Sequence, residues 1–147
     1  MVIAGHGVEE LAQKFKDEKD DYNAIILQVI AERLAEAFAG KLRQQARNDR
    51  DFGREESFTN DELIDEKYWG IRPTPGYPAC PDHIEKQKRS KLIGAEERMG
   101  VSLTESFAMW PAASGSGFYF PHPQASYFAV DRITKDQVGN YAVRKKT

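Results

Sequence analysis

The sequence predicts an α+β fold, a single domain of long helices packed against a twisted, mainly antiparallel sheet. Three observations predict it. Residues 21–48 read as one long helix, with Ile26, Val29, Ile30, Arg33, Leu34 and Ala37 on one side at a period of about 3.6 residues. Strand-like stretches lie mainly in the later part, at residues 103–110, 118–120 and 127–130. A helical signal returns at the end. That order, helix-rich then strand-rich then helix, lacks the strict alternation of a doubly wound sheet.

Taken in order, Val2-Ile3-Ala4-Gly5 resembles the end of a strand, and residues 8–16 form a short helix after it. The acidic run at 17–21 is a solvated break before the long helix, and residues 48–58 are polar and irregular. Thr59 and Glu62 have the spacing of a capping box, which opens a helix to about Lys67. Asp82 can cap the next helix with Glu85 at its third position; that helix runs to Met99 and stops at Gly100. Pro111 to Gly117 is a small-residue loop. Residues 118–120 and 127–130 read as the two strands of a hairpin. Thr134 and Gln137 form a second capping box and start the last helix.

Composition limits the function classes. A chain of 147 residues fits one domain and can bury a real core. Its 21 basic and 23 acidic residues give a formal charge of −2, with no basic surplus for a nucleic-acid partner. One cysteine excludes an internal disulfide and suits a reducing compartment. No apolar run approaches a membrane span, and the N-terminus does not read as a signal peptide. A cytoplasmic protein is expected.

The most informative stretch is 70–81, Gly-Ile-Arg-Pro-Thr-Pro-Gly-Tyr-Pro-Ala-Cys-Pro, with four of the chain's seven prolines. Proline fixes its own φ and biases the preceding residue toward extended backbone, here Arg72, Thr74, Tyr77 and Cys80. The result is a stiff strap that loses little entropy when a ligand binds. The bland alternative is a rigid connecting loop. Cys80 and His83 form a C-x-x-H pair, but zinc needs three or four ligands and only His6 and His122 remain, both distant in sequence. No metal site and no catalytic constellation are expected. The 114–117 Ser-Gly-Ser-Gly run lacks the strand-before, helix-after setting of a phosphate loop.

"RPTPGYPACPDH", followed by "LTESFAMWPAAS", "SGFYF" and "KDQVGNYAVRK", resembles the activation domain of cobalamin-dependent methionine synthase. The resemblance runs from about Glu9 to the end. The family domain is longer on its N-terminal side, so residues 1–147 are expected to be its C-terminal part. The resemblance implies an S-adenosylmethionine-binding module that supports reductive methylation, and so reactivation, of cob(II)alamin in methionine biosynthesis. The methyltransferase as a whole is the enzyme, and this module contributes positioning. The implied partners are a cobalamin-binding module, which carries the cobalamin, and a flavodoxin-like electron donor. The family also draws an acidic ligand residue from the region absent here, which implies weaker affinity than a complete domain.

Within that resemblance Arg72 is the leading ligand-binding residue, because a guanidinium can grip the ligand's carboxylate through two parallel hydrogen bonds. A surface ion pair with the acidic residues 61–66 is the alternative. Gly76 and Ala79 let a planar ligand approach the backbone, though Pro75-Gly76 is also a good type II turn pair. Tyr77 and Tyr127 can offer aromatic faces to a sulfonium, with Phe128 beside Tyr127, or they can be packing residues. Glu36, on the edge of the long helix's apolar stripe, matches a family position near the site, or is an ordinary solvated glutamate. Two departures stand out. Thr74 replaces a usual alanine, and Gly115 replaces a β-branched residue, which predicts a more mobile loop. The alternatives are a stand-alone small-molecule-binding or sensing protein of the same fold, and a fragment that does not bind.

Overall fold

The structure is a computed structural model that describes residues 1–51 and 55–146. Part of the irregular segment expected at 48–58 therefore lies outside the described residues. Strand β1 (Val2–Ile3) leads into helix α1 (Val8–Asp17), and α2 (Asp21–Asp49) follows. Gly7, at φ 75°, turns the chain into α1 in a conformation that favours glycine. Glu9 and Glu10 in its first turn and Lys14 and Lys16 in its last complement the helix dipole. The Asp20 carboxylate accepts the Asn23 amide at 3.1 Å and caps α2.

The long helix forms as expected, but the side it buries is the opposite of the expectation. Ala24, Ala31 and Ala35 are buried, whereas Ile26, Val29, Ile30 and Leu34 are between 38% and 57% exposed. Packing geometry is the reason. α2 lies against α1, β1 and β4, and the small alanines let those backbones approach closely. Ala12 of α1, completely buried, meets them in the same layer. Bulky residues on that side would hold the elements apart.

Both capping boxes form. Thr59 Oγ1 accepts the Glu62 amide while Glu62 accepts the Thr59 amide, which starts α3 (Asn60–Ile64). Thr134 and Gln137 open α6 (Lys135–Lys145) in the same way. The helix expected up to Met99 is divided into α4 (Glu85–Ile93) and α5 (Ala95–Met99) by Gly94 at φ 61°. Asp82 accepts the Ile84 amide at 2.8 Å, just before α4, and Gly100 ends α5 at φ 64°.

The fold is α+β with antiparallel pairing, and its strands make two short ladders. β2 (Ser102–Leu103) and β3 (Met109–Trp110) pair as a hairpin. β1 pairs with β4 (Ser114–Gly115), Val2 opposite Gly115. The expected loop at 111–117 thus contains a strand, and Gly115 is held in a ladder instead of a mobile loop. A Cβ at Gly115 would come within 3.2 Å of the Val2 side chain. The expected hairpin of 118–120 with 127–130 does not form. Phe120 bridges Ile71, and the Val130 amide bonds Pro78 O at 2.8 Å, so both segments pair with the strap rather than with each other. Alternating aromatic runs specify strand-like backbone, but not the partner.

Candidate functional site

The strap folds into two consecutive tight turns. Tyr77 donates its amide to Thr74 O at 3.2 Å around Pro75-Gly76, with Gly76 at φ 99°, the arrangement a type II turn demands of its third residue. Cys80 donates to Tyr77 O and Gly76 to Cys80 O, each at 2.8 Å, which closes the second turn around Pro78-Ala79. Pro73 and Pro75 are buried, so the strap is fixed from below. The Phe118 amide bonds Pro73 O at 3.0 Å along one side. Among the described residues, the Thr74 and Ala79 amides have no backbone hydrogen-bond partner.

A groove of about 1230 Å³ runs along this strap. Arg72, Gly76, Tyr77, Ala79, Tyr127, Phe128 and Glu36 all line it. Residues from α2, the strap and the 127–129 segment are therefore brought to one place. The Arg72 backbone is fixed by its amide, which donates to the Tyr127 hydroxyl at 2.8 Å. Its guanidinium reaches Glu36 Oε2 at 3.5 Å, a loose contact with a carboxylate that is itself well exposed. The alternative partner for Arg72, the acidic residues of α3, is not the one it meets.

Other readings are refined by the geometry. The space a Gly76 side chain would fill holds the His83 ring. The absent side chain thus serves an internal contact as well as the turn. Tyr127 places Arg72 through its hydroxyl, while its ring remains about half exposed beside Phe128. Cys80 is a half-buried free thiol, and no group of three or more metal-ligating side chains occurs among the described residues.

Sequence reasoning missed several groove residues. Arg33, one helical turn before Glu36, lines the groove with it instead of joining a packed stripe. Tyr119 is held by its hydroxyl, which donates to Ala39 O at 3.0 Å, and burial pushes its pKa up. Gly117 is needed because a Cβ there would approach Thr74 Oγ1 at 3.1 Å and Pro73 O at 3.2 Å. Lys86, buried at the groove's edge, has its pKa lowered by burial and then by nearby Arg89. Only the i, i+3 spacing of Arg33 and Glu36 was available in the sequence as a signal.

Comparison with known proteins decides the family. Residues 1–146 match the family model for the vitamin B12 dependent methionine synthase, activation domain. The chain belongs to this family. Among solved structures it is similar to the MetH reactivation domain, determined bound to AdoHcy, with 50% sequence identity and a TM-score of 0.92. The match covers 95% of this chain and 43% of that one, so the activation-domain chain described here spans less than half the length of that solved relative. No helix among the described residues is long and apolar enough to cross a membrane.

Proposed function

We propose that this activation-domain chain is an S-adenosylmethionine-binding module that supports reductive methylation of cob(II)alamin in a cobalamin-dependent methionine synthase. The observation that carries the proposal is the position of Arg72. The Arg72 backbone is fixed by Tyr127, and its guanidinium lines a preformed groove with a loose, exposed carboxylate, that of Glu36, as its ion-pair partner among the described residues. A ligand carboxylate would replace Glu36 with two better-aligned bonds. Glu36, so released, can meet the ligand's ammonium. The Thr74 and Ala79 amides can serve an adenine edge, and the Tyr77, Tyr127 and Phe128 rings suit a sulfonium cation. The solved relative's AdoHcy, which differs from this ligand by the transferable methyl, supports the reading.

The module's own residues hold and orient the ligand, and the reading assigns none of them a proton-transfer or nucleophilic role. Its contribution to rate is proximity, presentation of the methyl in a fixed direction. The cobalamin would be carried by a partner module and the electron supplied by a flavodoxin-like donor, in a reducing, cytoplasmic setting that suits the free Cys80 thiol. Isothermal titration of the chain with S-adenosylmethionine tests the proposal. Saturable binding is expected, with S-adenosylhomocysteine in competition and affinity lowered at least about tenfold by Arg72→Ala, the loss of one charge-assisted pair. Unchanged affinity in that variant would contradict it. Titration with a cobalamin-loaded partner module then distinguishes a reactivation module from a stand-alone sensor.

A further inference from the structure

The strap groove, at about 1230 Å³, exceeds the roughly 300–1,000 Å³ of a typical small-molecule site, which leaves room for a second group beside a nucleoside. One wall carries an amine that the S-adenosylmethionine reading does not use. Lys86, in the first turn of α4, is 7% exposed and lines the groove. Its amide donates to His83 O at 3.0 Å, which fixes its backbone. Its ammonium makes no hydrogen bond or ion pair among the described residues, yet it is not one of the sealed, partnerless side-chain nitrogens, so it meets solvent in the groove. Arg89 stands one turn further along the same face of α4. Its guanidinium lies over the Phe118 ring, 4.4 Å from the centre, and its Nη2 donates to Ser116 Oγ at 3.3 Å. Neither cation has a carboxylate partner among the described residues. The groove's two carboxylates, Glu36 and Glu66, meet Arg72 and Arg43, and Glu85, beside Lys86 in sequence, pairs with Lys145.

Charges taken largely out of water are normally paired, because an isolated one is costly. Here two cations share one helix face, and burial first, then Arg89, pushes the Lys86 amine down. An ammonium offers only donors, so the group that completes this wall is an acceptor. With Arg89 beside it and no carboxylate engaging it, an anionic acceptor is favoured over a neutral one. We propose that the Lys86 wall of the groove is an oxyanion subsite, for a phosphate or carboxylate group, in which Lys86 makes the direct contact and Arg89, locked on Ser116 and Phe118, adds positive potential. The inference does not rest on the S-adenosylmethionine reading, which places that ligand's carboxylate on Arg72.

Nuclear magnetic resonance of the chain, following its backbone amides and the lysine Cε–Hε signals, tests this while inorganic phosphate or acetate is added at constant ionic strength. At least one anion should give saturable shifts centred on Lys86, Arg89 and Ser116, and the tighter of the two identifies phosphate or carboxylate as the preferred class. Lys86→Met keeps the packed stem and removes an unpaired charge, a change the fold should tolerate. It should weaken binding about tenfold or more, the loss of one charge-assisted bond. If that variant does not fold, the position of the shifts in the parent chain decides. The proposal is overturned if chloride reproduces the shifts, if neither anion saturates, if the shifts centre on Arg72 and Glu36, if Lys86→Met binds as the parent does, or if S-adenosylhomocysteine displaces the anion competitively.

Discussion

At the residue scale, local chemistry was legible and long-range partners were not. Prolines 73, 75, 78 and 81 act on their own neighbours, so a rigid strap could be read directly, and the residues singled out along it do share one groove. Nothing local shows that Tyr127 holds the Arg72 amide from 55 positions away, or that His83 fills the space over Gly76. Two substitutions test these contacts. Tyr127→Phe removes the acceptor of the Arg72 amide; it should cost about 1 kcal/mol of stability and lower ligand affinity, as measured by denaturant titration and calorimetry. Gly76→Ala forces a positive φ on a residue with a side chain and drives it into the His83 ring. A loss of about 1–3 kcal/mol is expected. His83→Ala in the same chain should recover part of it, and an absence of any recovery would show that backbone strain alone sets the cost.

At the element scale, the long helix shows what periodicity determines. The pattern of Ile26, Val29, Ile30 and Leu34 correctly indicates a helix, and capping chemistry correctly places its neighbours. It does not determine which side faces the interior, because the alanine side gives closer approach to α1 and to the β1–β4 ladder. Ala35→Leu should therefore cost about 1–3 kcal/mol through overpacking, whereas Leu34→Ser should change stability by no more than about 0.5 kcal/mol. Thermal unfolding of the two variants would show the contrast, and equal losses would refute the packing described. The last helix is tied to the strap's exit by Tyr141, which hydrogen-bonds Asp82, and by Lys145, which pairs with Glu85. The Tyr141 phenol is pushed up to about 12, first by that bond to Asp82. Burial opposes ionisation of Asp82, but the Tyr141 hydroxyl, the Ile84 amide and Lys145 outweigh it and hold the carboxyl below its ordinary range. A carboxyl whose folded pKa is depressed stabilises above its unfolded value, near about 4, and that contribution fades as pH falls through the folded value. Protection of the α6 amides, corrected for the intrinsic pH dependence of exchange, should accordingly fall on acidification, and Tyr141→Phe should lower it at neutral pH. Protection unaffected by either would remove the tie.

At the scale of the whole molecule, the chain shows a preformed groove on one side and an uncovered apolar stripe on another. Ile30, Leu34 and Phe38 are each at least half exposed along α2. Apolar side chains aligned along one helix in this way form a surface that a hydrophobic probe can detect. The isolated chain should bind a hydrophobic dye, and Ile30→Lys with Leu34→Lys should abolish that binding without lowering the melting temperature. Retention of the dye signal would place the exposed apolar surface elsewhere. The fold class and the position of the strap were legible because local rules govern them. The strand partners, the buried side of α2 and the place of Lys86 in the groove were not, because each depends on contacts between distant segments. The central claim is that Arg72 and the strap turns are the seat of a sulfonium nucleoside. Its most direct test is a crystal structure of this chain with S-adenosylhomocysteine. The account predicts the ligand's carboxylate on the Arg72 guanidinium and its adenine along residues 74–79. Ligand bound away from the strap, with Arg72 still on Glu36, would contradict it.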